Sequence, residues 1–276
     1  MKTILAPTDY SAASRNAVLF ALSLAGKTRS SLLLHNAYHI PVAVNEMPVM
    51  AFAPDELEKS NLRQLEEYKD QLAAGRPEDI PIRCLSTPGF AVDEITEVAE
   101  EEHADIIVMG IAEGAELGHL ILGSVTTGVL KSCVKPLVIV PQTASFKGFN
   151  KIAFAYDGEQ EIGPSVIRQL GEFIRIFGSE LMIIIVENKP SDEEDKILKH
   201  KSSVENLFKG IRYTLHFSEN TDVTAGITSF TLDHRIDLLV MVPRNHSFFE
   251  RIFTRRNTSK MAENTHIPIL ALHEML

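Results

Sequence analysis

The sequence repeats one pattern of hydrophobic segments twice, and this repeat constrains the fold more than any other feature. The first copy opens with residues 2–7 (KTILAP) and Asp9, and the second opens with residues 151–156 (KIAFAY) and Asp157. Two later pairs of segments also correspond, residues 104–109 with 236–241 and residues 135–140 with 267–272. Self-similarity over this length indicates a duplicated domain. We predict one domain at residues 1–143 and another at 148–276.

Each copy alternates nearly continuous Ile, Leu and Val segments with segments of helical periodicity, such as Ala17, Ala21 and Leu24. Buried strands that alternate with amphipathic helices indicate an α/β protein with a parallel sheet covered on both faces. We therefore predict two tandem open five-stranded parallel sheets. Gly26 and Gly178 are predicted to end the first helix of each copy. Residues 40–58 show no period and predict a long surface connection, with a lid or contact loop and a mobile insertion as alternatives.

Composition narrows the classes of partner and compartment. The 27 Lys and Arg against 37 Asp and Glu give a net charge of −10, which argues against nucleic acid or anionic membrane as the main partner. No apolar run is long enough to span a bilayer, and Pro7 and Asp9 come too early for a signal peptide. Cys84 and Cys133 form no paired motif, so we expect a cytoplasmic protein with both cysteines in the core.

Residues 109–126 (MGIAEGAELGHLILGSVT) form a glycine-rich segment directly after a strong predicted strand. Gly110 is predicted to lie where that strand ends, and Ser124 to cap or begin a helix whose N-terminal amides suit phosphate. In open parallel sheets, ligands bind beyond the carboxyl ends of the strands where the strand order reverses. If the first and fourth strands are neighbours, Asp9 and this loop border one crevice, where Asp9 accepts hydrogen bonds from a nucleotide. The alternative is that Asp9 only bonds backbone amides of its own turn.

Common phosphate-binding motifs do not fit this segment. The dinucleotide pattern G-x-G-x-x-G is absent, and residues 118–123 have Walker A glycine spacing without the Lys and Ser/Thr that must follow. His35 and His39 have i, i+4 spacing, but at a predicted strand end this spacing does not indicate a metal site.

Together these features resemble the universal stress protein family in its tandem two-domain form, whose fold is Rossmann-like and similar to adenine nucleotide alpha-hydrolases. The most specific element is the loop G-x2-G-x9-G-[ST] with an Asp after the first strand. Gly110, Gly123 and Ser124 keep the outer spacing, whereas Glu113 stands at the inner glycine's place and Gly114 follows it. A carboxylate there repels a triphosphate unless it turns outward or binds a metal.

The resemblance implies that the first domain binds ATP or AMP, with Mg²⁺ only alongside ATP. The implied contact residues lie after the first strand, after the second strand and in the glycine loop: Pro7, Thr8, Asp9, Asn36, Ala37, Met109, Gly110, Gly114, Gly123, Ser124, Val125 and Thr126. The corresponding loop of the second domain, residues 243–257, has no glycine. We therefore expect no cofactor in the second domain.

Three functions remain open at this point. The first is a cytoplasmic stress-response protein that binds an adenine nucleotide as a signal, with little or no hydrolysis, because the loop supplies no evident general base, metal-binding carboxylate pair or arginine finger. The second is a nucleotide-free interaction scaffold. The third is a pyrophosphatase-type enzyme. Such enzymes carry a Ser-Gly-Gly-x-Asp-Ser phosphate loop after the first strand, and residues 7–11 (PTDYS) of this chain do not match that loop.

The sequence also bears on assembly. Each copy ends in a hydrophobic segment after a proline, residues 137–140 and 269–272. By resemblance to the family, these edge strands pair antiparallel within the chain, which forms a pseudo-dimer and protects both edges. A homodimer of whole chains through residues 40–58 stays open. A second open question is whether an unidentified acidic or phosphorylated protein binds the basic cluster of Arg244, Arg251, Arg255 and Arg256. The alternative is that these arginines form a solvated basic face.

Overall fold

The structure is a computed structural model that describes residues 1–40, 54–74, 80–113, 120–156, 162–187, 194–243 and 267–274. Its first half contains six strands and four helices among these residues. In chain order they are β1 (Thr3–Pro7), α1 (Ala12–Thr28), β2 (Ser31–Tyr38), α2 (Pro54–Ala73), β3 (Ile82–Pro88), α3 (Ala91–Glu101), β4 (Ile106–Glu113), β5 (Leu120–Ile121), α4 (Ser124–Ser132) and β6 (Leu137–Pro141).

The described part of the second half repeats this alternation with five strands and three helices. They are β7 (Lys151–Tyr156), α5 (Pro164–Phe177), β8 (Glu180–Glu187), α6 (Glu194–Leu207), β9 (Tyr213–Glu219), α7 (Val223–Asp233), β10 (Leu238–Met241) and β11 (Ile269–Ala271).

All strands except β5 form one continuous sheet in the order β3-β2-β1-β4-β6-β11-β10-β7-β8-β9. Neighbouring strands within each half are parallel, and the two halves meet where β6 and β11 pair antiparallel, with Val138 opposite Leu270. The short strand β5 pairs only with β4 and lies outside this path. The fold class, the two five-stranded units and the intramolecular pseudo-dimer are thereby confirmed.

The strands are continuously hydrophobic because helices cover both faces of the sheet. One face packs against α1, α2 and α5, and the other packs against α3, α4 and α7. All five residues of β6 are buried, as expected for a strand that is central in the joined sheet. Cys133 is buried and Cys84 half-buried, so both lie in or beside the core as predicted.

Two local predictions need correction. Gly26 does not end α1, because the helix continues to Thr28 and closes with Arg29 in the left-handed conformation at φ 55°. Gly178 does end α5 as predicted, with φ 67°. The predicted connection at residues 40–58 is helical from Pro54 onward, and residues 41–53 lie outside the described residues.

None of the described helices combines the length and the apolar character that crossing a membrane requires.

Candidate functional site

The strand order of the first half reverses between β1 and β4. From β1 the chain proceeds to β2 on one side, and it later returns to form β4 on the other, with Ile4 beside Ile106. Helices α1 and α4 pack on opposite faces of the sheet. This is the arrangement that opens a crevice at the carboxyl edge of a parallel sheet. The predicted neighbourhood of the first and fourth strands is confirmed.

The turn after β1 is held by its own side chains. Asp9 Oδ1 accepts a hydrogen bond from the Ser11 amide at 3.0 Å, and Thr8 Oγ1 accepts one from the Tyr10 amide at 3.0 Å. Tyr10 adopts the left-handed conformation at φ 64°, which is uncommon for a bulky residue. Ser11 caps α1 by accepting a hydrogen bond from the Ser14 amide. These hydrogen bonds therefore fix the conformation of the turn after β1.

Asp9 is exposed and carries a charge at neutral pH. Partial burial acts to raise the pKa of its carboxyl, but hydrogen bonds from Ser11 and Ser14 outweigh it and lower the pKa below its ordinary value. The carboxylate thus bonds its own turn, as the alternative interpretation required, and remains a solvent-facing acceptor. Neither serine was among the predicted site residues, although the S-x-x-S pattern at a helix start could have indicated both.

The turn is fastened to the end of β2. The Thr8 amide donates to the His35 carbonyl at 2.8 Å, and Asn36 Nδ2 donates to the Thr8 carbonyl at 2.7 Å. Asn36 is 7% exposed, so its amide serves the backbone of β1. Ala37 is half-buried beside it.

His35 lies inside β2 and is fully buried, at 0% exposure. Its Nε2 is 2.8 Å from Thr87 Oγ1 on β3, and its Nδ1 has no hydrogen-bond partner among the described residues. Burial lowers the pKa of this imidazole to about 4, so the ring is neutral at physiological pH. His35 is therefore a neutral core residue of β2, next to the end of β1.

Gly110 has a different position from the predicted one. Strand β4 does not end there but continues to Glu113, because β5 pairs with its last residues. A Cβ added to Gly110 would lie 2.2 Å from the Ala13 carbonyl oxygen, so the start of α1 packs directly on this glycine. Met109 is buried on the opposite face. The absence of a side chain at Gly110 is thus needed by helix packing.

The N-terminus of α4 is open. Its N-cap residue is Gly123 and not Ser124, and among the described residues no side chain accepts a hydrogen bond from the first amides. A Cβ at Gly123 would meet no atom within 4 Å, and Ser124 is exposed. Thr126 is buried, and its hydroxyl donates to the Gly110 carbonyl at 3.4 Å. Uncapped amides at a helix start suit an anion such as phosphate.

Some predicted residues lie outside the described ones. They are Gly114, Gly118, Asp157 and the arginines of the loop after β10, and nothing of the Glu113 side chain is described. Across the residues that the structure does describe, no group of three or more His, Cys, Asp or Glu side chains could hold a metal ion.

Comparisons with known proteins agree with this architecture. The sequence profile of the universal stress protein family matches residues 1–141. The universal stress protein MJ0577 of Methanocaldococcus jannaschii is 28% identical over an alignment 157 residues long, which covers 52% of this chain and 97% of that protein.

Two solved structures extend the likeness of the fold to both halves. A universal stress protein of Archaeoglobus fulgidus aligns over 98% of each chain with a TM-score of 0.69 and 19% identity. A functionally unknown protein of Pseudomonas aeruginosa aligns over 99% of this chain and 92% of its own, with a TM-score of 0.56 and 12% identity.

Proposed function

Because the chain belongs to the universal stress protein family, as the match over residues 1–141 shows, we propose that its first half binds an adenine nucleotide in the β1/β4 crevice. The domains we propose are residues 1–143 and 148–276. Only the first is proposed to bind nucleotide, since the corresponding loop of the second, residues 243–257, contains no glycine. The compartment we propose is the cytoplasm.

The open N-terminus of α4 is the observation that carries this proposal. Gly123 provides no side-chain cap and has empty space around it, so the first amides of Ser124, Val125 and Thr126 remain available to phosphate oxygens. Amides at a helix start and the helix dipole both favour negative charge. In this arrangement the phosphates lie over α4 and the glycine loop, which includes Gly114.

The other end of the ligand is proposed to rest on the β1 and β2 termini. Asp9 is ionised and exposed, which suits it to accept hydrogen bonds from ribose hydroxyls. Pro7 and Ala37 lie at neighbouring strand ends, in register with His35 and Thr87 respectively, and border the base. Thr8 and Asn36 are proposed to act by fixing the Asp9 turn, because their polar atoms already bond each other.

Binding is proposed to serve as a signal, with little or no hydrolysis. The described residues that directly follow β1 and β2 and those that begin α4 include one carboxylate, Asp9, and no arginine, whereas phosphoryl transfer needs positioned charge at the transferred group. Mg²⁺ would accompany only ATP, where phosphate oxygens supply most of its ligands.

The test is a titration of the whole chain with ATP and AMP by calorimetry. Asp9→Ala should weaken binding by about 1–3 kcal/mol, the range for a hydrogen bond to a charged group. Asp157→Ala is the matched control from the second copy and should change little. Equal losses in both variants would refute the asymmetric site.

One observation favours a second candidate, a nucleotide-free interaction scaffold. Asn36, Thr126 and one oxygen of Asp9 are all engaged in bonds within the chain, so the crevice holds together without a ligand. Mass spectrometry of the gently denatured protein distinguishes the two. Near-stoichiometric ATP, ADP or AMP supports binding, whereas a chain that neither retains nor takes up nucleotide supports the scaffold and its unidentified protein partner.

A further inference from the structure

We propose that His216 and His234 together bind a divalent transition-metal ion, Zn²⁺, at the outer edge of the second half. His216 lies on β9, the last strand of the sheet, and His234 is the C-cap residue of α7, which packs beside it. Their ring centroids are 5.1 Å apart with an angle of 67° between the ring planes. This site is separate from the nucleotide crevice and independent of it.

The separation of the rings matches shared coordination. Zn–N bonds are about 2.0–2.1 Å, so two imidazoles bound to one tetrahedral ion have ring centres about 5 Å apart. The rings of the two histidines lie at that distance from each other. The spacing of the two rings is therefore compatible with one ion bound by one nitrogen of each ring.

Hydrogen bonds to the other nitrogen of each ring support the same assignment. His234 Nδ1–H donates to the Phe230 carbonyl at 3.1 Å, which leaves a lone pair on Nε2. His216 Nε2 is 2.8 Å from Thr214 Oγ1, and in the tautomer that donates this bond Nδ1 keeps its lone pair. Metal-binding histidines typically donate their second N–H to a carbonyl or similar acceptor, which fixes the ring orientation.

The surroundings hold the rings and leave them accessible. Both rings pack on Phe230, which is 7% exposed, with centroid distances of 5.1 Å to His216 and 4.0 Å to His234. Both histidines are partly exposed, and β9 has no neighbouring strand on its outer side in the described sheet. No third His, Cys, Asp or Glu of the described residues completes the set. Water is proposed to fill the remaining positions.

A shared ion would cross-link α7 to β9, so binding should raise the stability of the folded chain. The experiment titrates the whole chain with Zn²⁺ alone by calorimetry and records thermal unfolding with and without the ion. His216→Gln and His234→Gln are the test variants, and His103→Asn is the control. His103 is exposed and has a positive φ of 49°, which Asn tolerates.

Wild type and His103→Asn should bind one Zn²⁺ at this site and unfold at a higher temperature in its presence. Each test variant should bind Zn²⁺ roughly tenfold or more weakly, because the loss even of a residue that only hydrogen-bonds to a metal ligand typically lowers the metal affinity by this factor. Each test variant should also lose the thermal shift. Circular dichroism verifies that the variants fold. Electron paramagnetic resonance with Cu²⁺ as probe should show two-nitrogen coordination that each variant reduces. Unchanged binding in both variants, or no zinc binding by wild type, overturns the proposal.

Discussion

The buried imidazole of His35 should make the folded chain sensitive to mild acid. The ring is 0% exposed, and burial lowers its pKa from 6.5 to about 4. In the unfolded chain the pKa returns to its ordinary value, so between these two values the unfolded state binds more protons than the folded state. Stability therefore falls as the pH is lowered through this window, and His35 has no effect on it above pH 7.

The size of the effect follows from the two pKa values. With 6.5 in the unfolded chain and about 4 in the folded chain, linkage gives a loss of about 2 kcal/mol between pH 7.5 and pH 5 from this residue alone. The loss approaches about 3 kcal/mol at pH 4. Carboxyl groups also titrate in this range, so the contribution of His35 must be obtained by difference.

The assay is urea unfolding of wild type, His35→Gln and His103→Asn across pH 5 to 7.5. Gln does not titrate and retains an amide that can bond Thr87, so the slope of its stability against pH should be smaller than that of wild type by the amount above. His103 is exposed, and its replacement should leave the slope unchanged. Parallel pH profiles for wild type and His35→Gln would refute the reasoning.

Three further predictions concern packing, the glycine loop and the sheet edge. Gly110→Ala should lower the free energy of unfolding by about 1–3 kcal/mol in chemical unfolding, because its Cβ would collide with α1. In the control Gly171→Ala the new Cβ makes only a 3.5 Å contact, so this variant should be neutral or stabilising. Equal effects of the two substitutions would contradict the packing role of Gly110. Glu113→Gly should tighten ATP more than AMP in calorimetry, with a difference that shrinks at high salt, and equal affinities would mean that the carboxylate points away. Residues 1–143 expressed alone should self-associate through the edge around Val138, and a monomer at tens of micromolar in sedimentation would contradict the paired-edge interpretation.

The sequence was sufficient to predict the sheet because the composition of a strand indicates whether one or both of its faces are buried. Segments such as LVIVP in β6 have no polar alternation, and only a strand covered on both faces tolerates this. The pairing of β6 with β11 was implied by the resemblance to the family, and it protects two apolar edges that would otherwise be exposed. Helix ends were less predictable. Arg29 closes α1 in a left-handed conformation that glycine usually adopts, so Gly26 was a misleading signal.

The candidate site was less predictable because one residue type can satisfy different physical requirements. A glycine at position 110 is expected where a ligand approaches the backbone, but the collision of an added Cβ with Ala13 shows that α1 requires the missing side chain. Asn36 is likewise a plausible partner for a base, yet its amide bonds the Thr8 carbonyl. Spacing along the chain cannot separate these roles, since which neighbour approaches is decided by packing between distant segments.

The two copies share hydrogen bonds on which the fold depends, although the residues of the candidate nucleotide site differ between them. Asp105 Oδ2 accepts hydrogen bonds from the amides of Lys2 and Thr3, and its counterpart Asp237 does the same for Asn150 and Lys151. Each carboxylate thus joins the start of the first strand of its own copy to the start of the strand that directly follows the aspartate, which is β4 for Asp105 and β10 for Asp237. This bond serves the fold alone, so both copies need it whether or not they bind a ligand. The glycines at positions 114 and 123 are instead proposed to serve nucleotide binding, so we expect a copy that binds no nucleotide to do without them.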